Sequence, residues 1–126
     1  MLLVFTQDEV QRLIQNFSKK KIKVDFPGEN QLTLRHSGVK LHLFLTEVRP
    51  KGVTFFYKMN AVVNFILDKF LDLDKPGILW DKEADTIGID LNQFLKDEKM
   101  SDFFLRQLLI DETKMILDFD LAEPKE

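Results

Sequence analysis

The spacing of apolar residues changes period several times along the chain, and each change predicts an element. Thr6-Gln7-Asp8-Glu9 fits a capping box, in which Thr6 takes the Glu9 amide and Glu9 reaches back. Phe5 and Val10 flank it as a hydrophobic staple. Val10, Leu13, Ile14 and Phe17 follow at i, i+3, i+4 and i+7, which predicts one apolar stripe on a helix, with Arg12, Gln15 and Asn16 facing elsewhere. Lys19, Lys20 and Lys21 lie at its carboxyl end, where positive charge complements the helix dipole.

From Ile22 the period becomes two. Ile22, Val24 and Phe26 alternate with polar residues, as do Leu32 and Leu34, then Val39, Leu41, Leu43 and Leu45, then Val53, Phe55, Tyr57 and Met59. Turn residues separate these runs at Pro27-Gly28-Glu29-Asn30, Ser37-Gly38 and Arg49-Pro50-Lys51-Gly52, so the segment predicts a four-strand antiparallel meander with one apolar face. Phe44 and Phe56 interrupt its polar face, and the expectation is that another element covers them.

Asn60 is placed to cap a very apolar helix carrying Val62, Val63, Phe65, Ile66, Leu67, Phe70 and Leu71. Pro76-Gly77 breaks the chain before a hairpin of Ile78-Leu79-Trp80 and Ile87, Ile89 and Leu91 around a turn from Asp81 to Asp85. Asp90-Leu91-Asn92-Gln93 offers a capping box for a short helix with Phe94 and Leu95, and Ser101 a cap for another with Phe104, Leu105, Leu108 and Leu109. Met115, Leu117, Phe119 and Leu121 alternate in a last strand, and the tail from Glu123 is expected to fray. The predicted fold class is therefore α+β: a curved antiparallel sheet of about six or seven strands packed on two main helices. Residues 1–126 are read as a single domain.

Composition narrows the chemistry. Twelve Phe stand beside one Tyr, one Trp, two His and no Cys, so there is much to bury and little to react. Disulfides, iron–sulfur clusters, Cys-ligated zinc and thiol nucleophiles are excluded, and a reducing, cytoplasmic location is the expectation. The apolar opening Met1–Phe5 is far shorter than the ~18 to 20 residues that span a bilayer, and it lacks the basic start and cleavage site of a secretory signal. A membrane-peripheral location would follow only from an anchor lying upstream. Residues 1–63 carry ten Lys and Arg against five Asp and Glu, and residues 64–126 carry eight against sixteen, an asymmetry that compact folding neutralises.

No arrangement of polar residues selects a reaction. His36 sits by a turn and His42 on a polar strand face, neither at triad or metal-ligand spacing from a partner, while Ser18, Ser37 and Ser101 fit helix ends or turns. Asp81, Glu83 and Asp85 have the spacing of a calcium loop, but Thr86 and Asn92 replace its Gly and its bidentate Glu. Asp68, Asp72 and Asp74 read as helix-end solvation, and the scattered glycines have no phosphate-cradling spacing. Lys19, Lys20, Lys21, Lys23, Arg35, Lys40, Arg49, Lys51 and Lys58 could make a basic sheet face. A pI near 5.4 and the lack of a ribonucleoprotein or single-strand-binding motif argue against a nucleic-acid partner.

The order of a capped amphipathic helix (Thr6 to Phe17), a long meander, a very apolar helix (Val62 to Leu71) and the Thr86-Ile87-Gly88-Ile89-Asp90-Leu91 segment resembles the bacterial tubular lipid-binding (TULIP-like) proteins of uncharacterised, membrane-associated families. That resemblance implies a curved sheet wrapped round a long helix, with an interior that accepts acyl chains. It spans most of the chain and rests on pattern, so it transfers no functional residue; the apolar start at Met1 to Phe5 departs from the signal or anchor such families carry.

The reading is a non-catalytic binding module for lipid or another apolar ligand, without cofactor or metal. Phe17, Leu43, Phe44, Phe55, Phe56, Phe65, Phe70, Phe104 and Phe119 are the candidate ligand-lining residues. The competing reading is a protein–protein interaction domain with a filled core, docking a partner or a second copy of itself.

Overall fold

The computed structural model describes residues 1–59, 77–91 and 102–121. Strand β1 (Leu2–Thr6) leads straight into helix α1 (Gln7–Ser18), followed by β2 (Lys23–Asp25), β3 (Gln31–His36), β4 (Val39–Arg49) and β5 (Gly52–Met59). The later strands are β6 (Ile78–Asp81), β7 (Thr86–Asp90), β8 (Phe103–Ile110) and β9 (Lys114–Leu121). They form two antiparallel sheets, one of three strands ordered β1-β9-β8 and one of six ordered β2-β3-β4-β5-β7-β6. The predicted meander is thus present as β2 to β5, and the predicted hairpin as β6 and β7.

The fold class needs correction. Among the described residues the protein is mostly β, with one helix, and it is not a sheet packed on two main helices. The segment from Phe104 to Leu109 is the edge strand β8 rather than a helix. Leu105 pairs with Phe119 and Gln107 with Asp118, so Arg106 is an extra residue that resets the alternation. Leu105 and Leu108 consequently both point inward, and a spacing of three that looks helical in sequence comes from a bulge. Met1–Phe5 also hides a strand, because β1 turns Leu3 and Phe5 toward the core and Leu2 and Val4 outward. The predicted helix over Val62 to Leu71 and the short one with Phe94 lie outside the described residues.

The capping box forms as predicted: Thr6 Oγ1 accepts from the Glu9 amide at 3.2 Å and the Thr6 amide donates to Glu9 Oε1 at 3.0 Å. Lys19 closes the helix in the left-handed region, its N–H donating to the Gln15 carbonyl at 2.8 Å. The same helix seals the open edge of the six-stranded sheet. Gln7, Gln11 and Gln15 recur every four residues and therefore share one face. Gln7 Oε1 accepts from the Phe26 amide at 3.2 Å and Gln11 Oε1 from the Val24 amide at 3.0 Å, while Gln15 Nε2 donates to the Ile22 carbonyl at 2.8 Å. An edge strand that would otherwise present bare backbone groups is covered by side-chain amides.

The two sheets are pinned together at both ends of β8. Asn30, in the left-handed region at φ 57°, donates its N–H to the Ile110 carbonyl at 2.7 Å, and its Oδ1 accepts from the Ile110 amide at 3.3 Å. At the other end the Leu105 amide donates to the Pro50 carbonyl at 2.8 Å, and Lys51 Nζ donates to the Phe103 carbonyl. Between these ties, residues from both sheets and from α1 share one apolar core, with Ile22, Leu34, Leu41, Leu105 and Ile110 sealed from solvent.

The glutamine seam makes a prediction in which each amide has a fixed polarity. Gln11→Glu keeps an acceptor for Val24 and should leave stability within about 0.5 kcal/mol, as for a benign surface change. Gln15→Glu sets a carboxylate against the Ile22 carbonyl and should cost about 1–3 kcal/mol, the range for an unsatisfied polar group. Urea denaturation of the two variants at neutral pH measures the difference.

Candidate functional site

The inner faces of the sheets do not meet everywhere. Helix α1 contributes Val10, Ile14 and Phe17 of the stripe predicted from its spacing, whereas the fourth member, Leu13, is exposed. The six-stranded sheet adds Leu32, Leu34, Leu43, Val53 and Phe55 from its centre and Ile78, Ile87 and Ile89 from its far side. Leu108, Met115 and Leu117 of the three-stranded sheet and Leu91 complete the described wall. Together they surround a space of about 230 Å³ without a polar side chain among the described lining residues.

Strand register explains this lining. Leu32 stands beside Leu43, Phe55 beside Ile87, and Val53 beside Ile89, which in turn faces Ile78, so residues of one parity build successive inward rows. Nearby polar atoms are turned on one another: Trp80 Nε1 donates to the hydroxyl of buried Tyr57 at 3.0 Å. An apolar chamber remains, larger than the roughly 150 Å³ cavities that stay dry and bind benzene-sized molecules.

The structure divides the nine candidate residues. Phe17, Leu43 and Phe55 line the chamber. Phe119 is buried in the shared core opposite Leu105 and does not line it. Phe44 and Phe56 are cross-strand neighbours on the opposite side of the six-stranded sheet, half-buried with ring centroids 6.3 Å apart. Phe104 is half-buried beside exposed Asp120, on the face of β8 opposite to Leu105. Phe65 and Phe70 lie outside the described residues. Most of the wall is instead aliphatic: Val10, Ile14, Leu32, Leu34, Ile87 and Leu117 were visible as periodic core positions, and only sheet register shows which of them border a space.

The polar candidates have structural partners. Thr33 Oγ1 lies 3.0 Å from His42 Nδ1, and His36 Nδ1 lies 2.9 Å from the Lys21 carbonyl. Ser18 Oγ accepts from the Lys20 amide at 3.2 Å, and Asp81 Oδ1 accepts from the Glu83 and Ala84 amides at 3.0 and 3.1 Å, closing the hairpin turn once compared with a calcium loop. Among the described residues no three His, Asp or Glu side chains converge on a possible metal position. Ser101, Asp68, Asp72 and Asp74 lie outside the described residues. No helix among the described residues is long and apolar enough to cross a membrane.

Among the described residues one carboxyl group is perturbed. In the β8–β9 turn, Asp111 Oδ1 accepts from the Thr113 amide and hydroxyl, each at 2.8 Å, and from the Lys114 amide at 2.9 Å. These bonds favour the charged form and hold the Asp111 carboxyl below its ordinary value of 3.8.

Two measurements follow from this placement. Phe44→Ser removes a half-buried ring on the outer face, so it should cost about 1–2 kcal/mol in chemical denaturation rather than the ~3–5 kcal/mol of a buried Phe, and leave the chamber intact. Because folding lowers the Asp111 pKa, its stabilising effect is full above the unfolded value of 3.8 and fades as pH falls through the folded value. The stability difference between the wild type and Asp111→Ala should therefore be constant near neutrality and shrink when melting is followed below pH 3.8.

No protein-family model, curated protein or solved structure matches the chain, and its function is read from this geometry.

Proposed function

We propose that the protein is a non-catalytic binder of a small apolar ligand, held in the chamber between its two sheets. The observation that carries this is the space of about 230 Å³ whose described lining is entirely apolar. Interiors otherwise pack with few voids larger than a water molecule, so a space of this size removes dispersion contacts from fifteen side chains unless something occupies it.

Its volume sets the ligand class. It falls short of the ~300 Å³ at which drug-sized pockets begin, so it suits one short acyl chain or one hydrocarbon ring rather than a two-chain phospholipid. With no polar lining side chain described, affinity would come from burial, at about 0.8 kcal/mol for each methylene removed from water. The acyl-chain interior implied by the resemblance to TULIP-like proteins is the same kind of ligand reached from pattern.

A second reading, a docking module, has one observation of its own. On the outer face of the three-stranded sheet Val4, Ile116 and Leu109 align across β1, β9 and β8, with Val4 52% and Leu109 41% exposed and Leu2 beside them 63% exposed. The row is short, and the chamber is the stronger feature.

Val10 is buried against the chamber, which makes Val10→Phe the discriminating change. If the space is there to be filled, the larger ring should keep stability within about 1 kcal/mol and weaken displacement of a fluorescent fatty acid about tenfold or more; a close-packed interior would lose about 1–3 kcal/mol to overpacking. Denaturation and probe titration of the variant together decide between them.

A further inference from the structure

The outer face of the six-stranded sheet carries a second candidate site, chemically unlike the chamber. Register places Lys23 of β2 opposite Arg35 of β3, and Arg35 opposite Lys40 of β4, so three exposed cations stand in one row across neighbouring strands. Adjacent strands are about 4.8 Å apart, and like charges directly opposite one another destabilise a sheet. Asp25 relieves the row in part, with a carboxylate oxygen 2.9 Å from Arg35 Nε. That contact also steadies the guanidinium.

The row borders a cleft of about 350 Å³ at the β3–β4 turn. Lys21, His36 and Ser37 complete its cationic and polar lining, and no carboxylate belongs to the described wall. The carbonyl of Lys21 can only accept, so His36 Nδ1 donates to it at 2.9 Å and the ring is tied to the chain just before β2. The turn itself is tight: Ser37 and Gly38 take φ values of 50° and 79°, the positive values that a two-residue hairpin loop of type I′ requires. The segment before β2 and the strands β2, β3 and β4 thus bring Lys21, Lys23, Arg35 and Lys40 to one concave place.

We propose that this cleft binds a phosphate group. A steadied Arg fork matches the spacing of phosphate oxygens, and lysines at its flanks supply point charges with several donors each. Bound phosphate would replace repulsion along the row by charge-assisted hydrogen bonds. The group could belong to a soluble phosphate ester or to a lipid headgroup, and the shared chemistry is the inference. It does not rest on occupancy of the chamber, because the cleft lies on the other face of the sheet.

The test is a ¹H–¹⁵N NMR titration of the full chain with inorganic phosphate, with chloride at matched ionic strength as the control. Saturable shifts confined to the amides of residues 21–25 and 35–40, with a rise in Tm that chloride does not reproduce, are expected. Lys23→Thr, at an exposed strand position that suits Thr, should fold normally, melt at the same or a higher temperature without phosphate, and bind phosphate about tenfold more weakly. Lys21→Gln, outside the strands, should weaken binding in the same direction. Shifts that never saturate, or that chloride matches, would overturn the proposal by reducing the row to a screened surface charge.

Two further arms identify the source. Binding of glycerol 3-phosphate alone supports a soluble ester, and co-sedimentation only with phosphatidylcholine vesicles containing phosphatidic acid supports a headgroup. Binding in neither arm, with no response to inorganic phosphate, overturns the site. In each case a fluorescent fatty acid is titrated in parallel, so failure here is distinguished from failure of the chamber.

Discussion

The architecture depends on how one sheet edge is closed. Strand β2 is three residues long and lies at the end of the six-stranded sheet, where the backbone groups of Ile22, Val24 and Phe26 would otherwise go unpaired. All three of these side chains are buried, so water cannot serve those groups freely, and the amides of Gln7, Gln11 and Gln15 serve them instead. This seam fixes α1 along the sheet edge. Because Thr6 is both the end of β1 and the cap of α1, it also fixes where β1 stands, and β9 and β8 pair onward from it.

Once the three-stranded sheet is held there, Asn30 and Pro50 determine how it faces its partner. Hydrogen bonds at each end of β8 tie two backbones together while the side chains between them carry the separation. Helix α1 enters along one edge and presents only Val10, Ile14 and Phe17 to the middle, which leaves the apolar chamber. The chamber is therefore a consequence of the ties: a sheet pinned at its ends by directional bonds cannot collapse freely onto its neighbour, whereas unpinned apolar faces would close the gap.

The sequence made some of this legible and concealed the rest for identifiable reasons. The capping box and the alternation from Ile22 to Met59 were readable because local chemistry and tertiary burial agree there. Strand β8 was not, since Arg106 is an inserted bulge residue and turns an alternating pattern into an apparent helical one. The edge-sealing role of Gln15 was hidden because a polar residue off the apolar stripe looks solvated until the strand beside it is known. Among the candidate site residues, Leu43 and Phe55 sit at inward strand parity and reach the chamber, as does Phe17 from the apolar stripe of α1, while Phe44, Phe56 and Phe104 have outward parity. Aromatic identity was a poor guide to lining; strand parity sets the outward rings apart but does not separate Phe119, buried in the core, from the residues that border the space.

The two faces of the six-stranded sheet now have distinct chemistry, with an apolar chamber behind it and a cationic row in front, built from alternate residues of the same strands. The central claim is that the inner space holds hydrocarbon. Native mass spectrometry of freshly purified protein, repeated after incubation with decanoic acid and followed by organic extraction, tests it most directly. The account predicts one small apolar adduct per chain in at least the loaded sample, and a bare chain mass in both samples would contradict it.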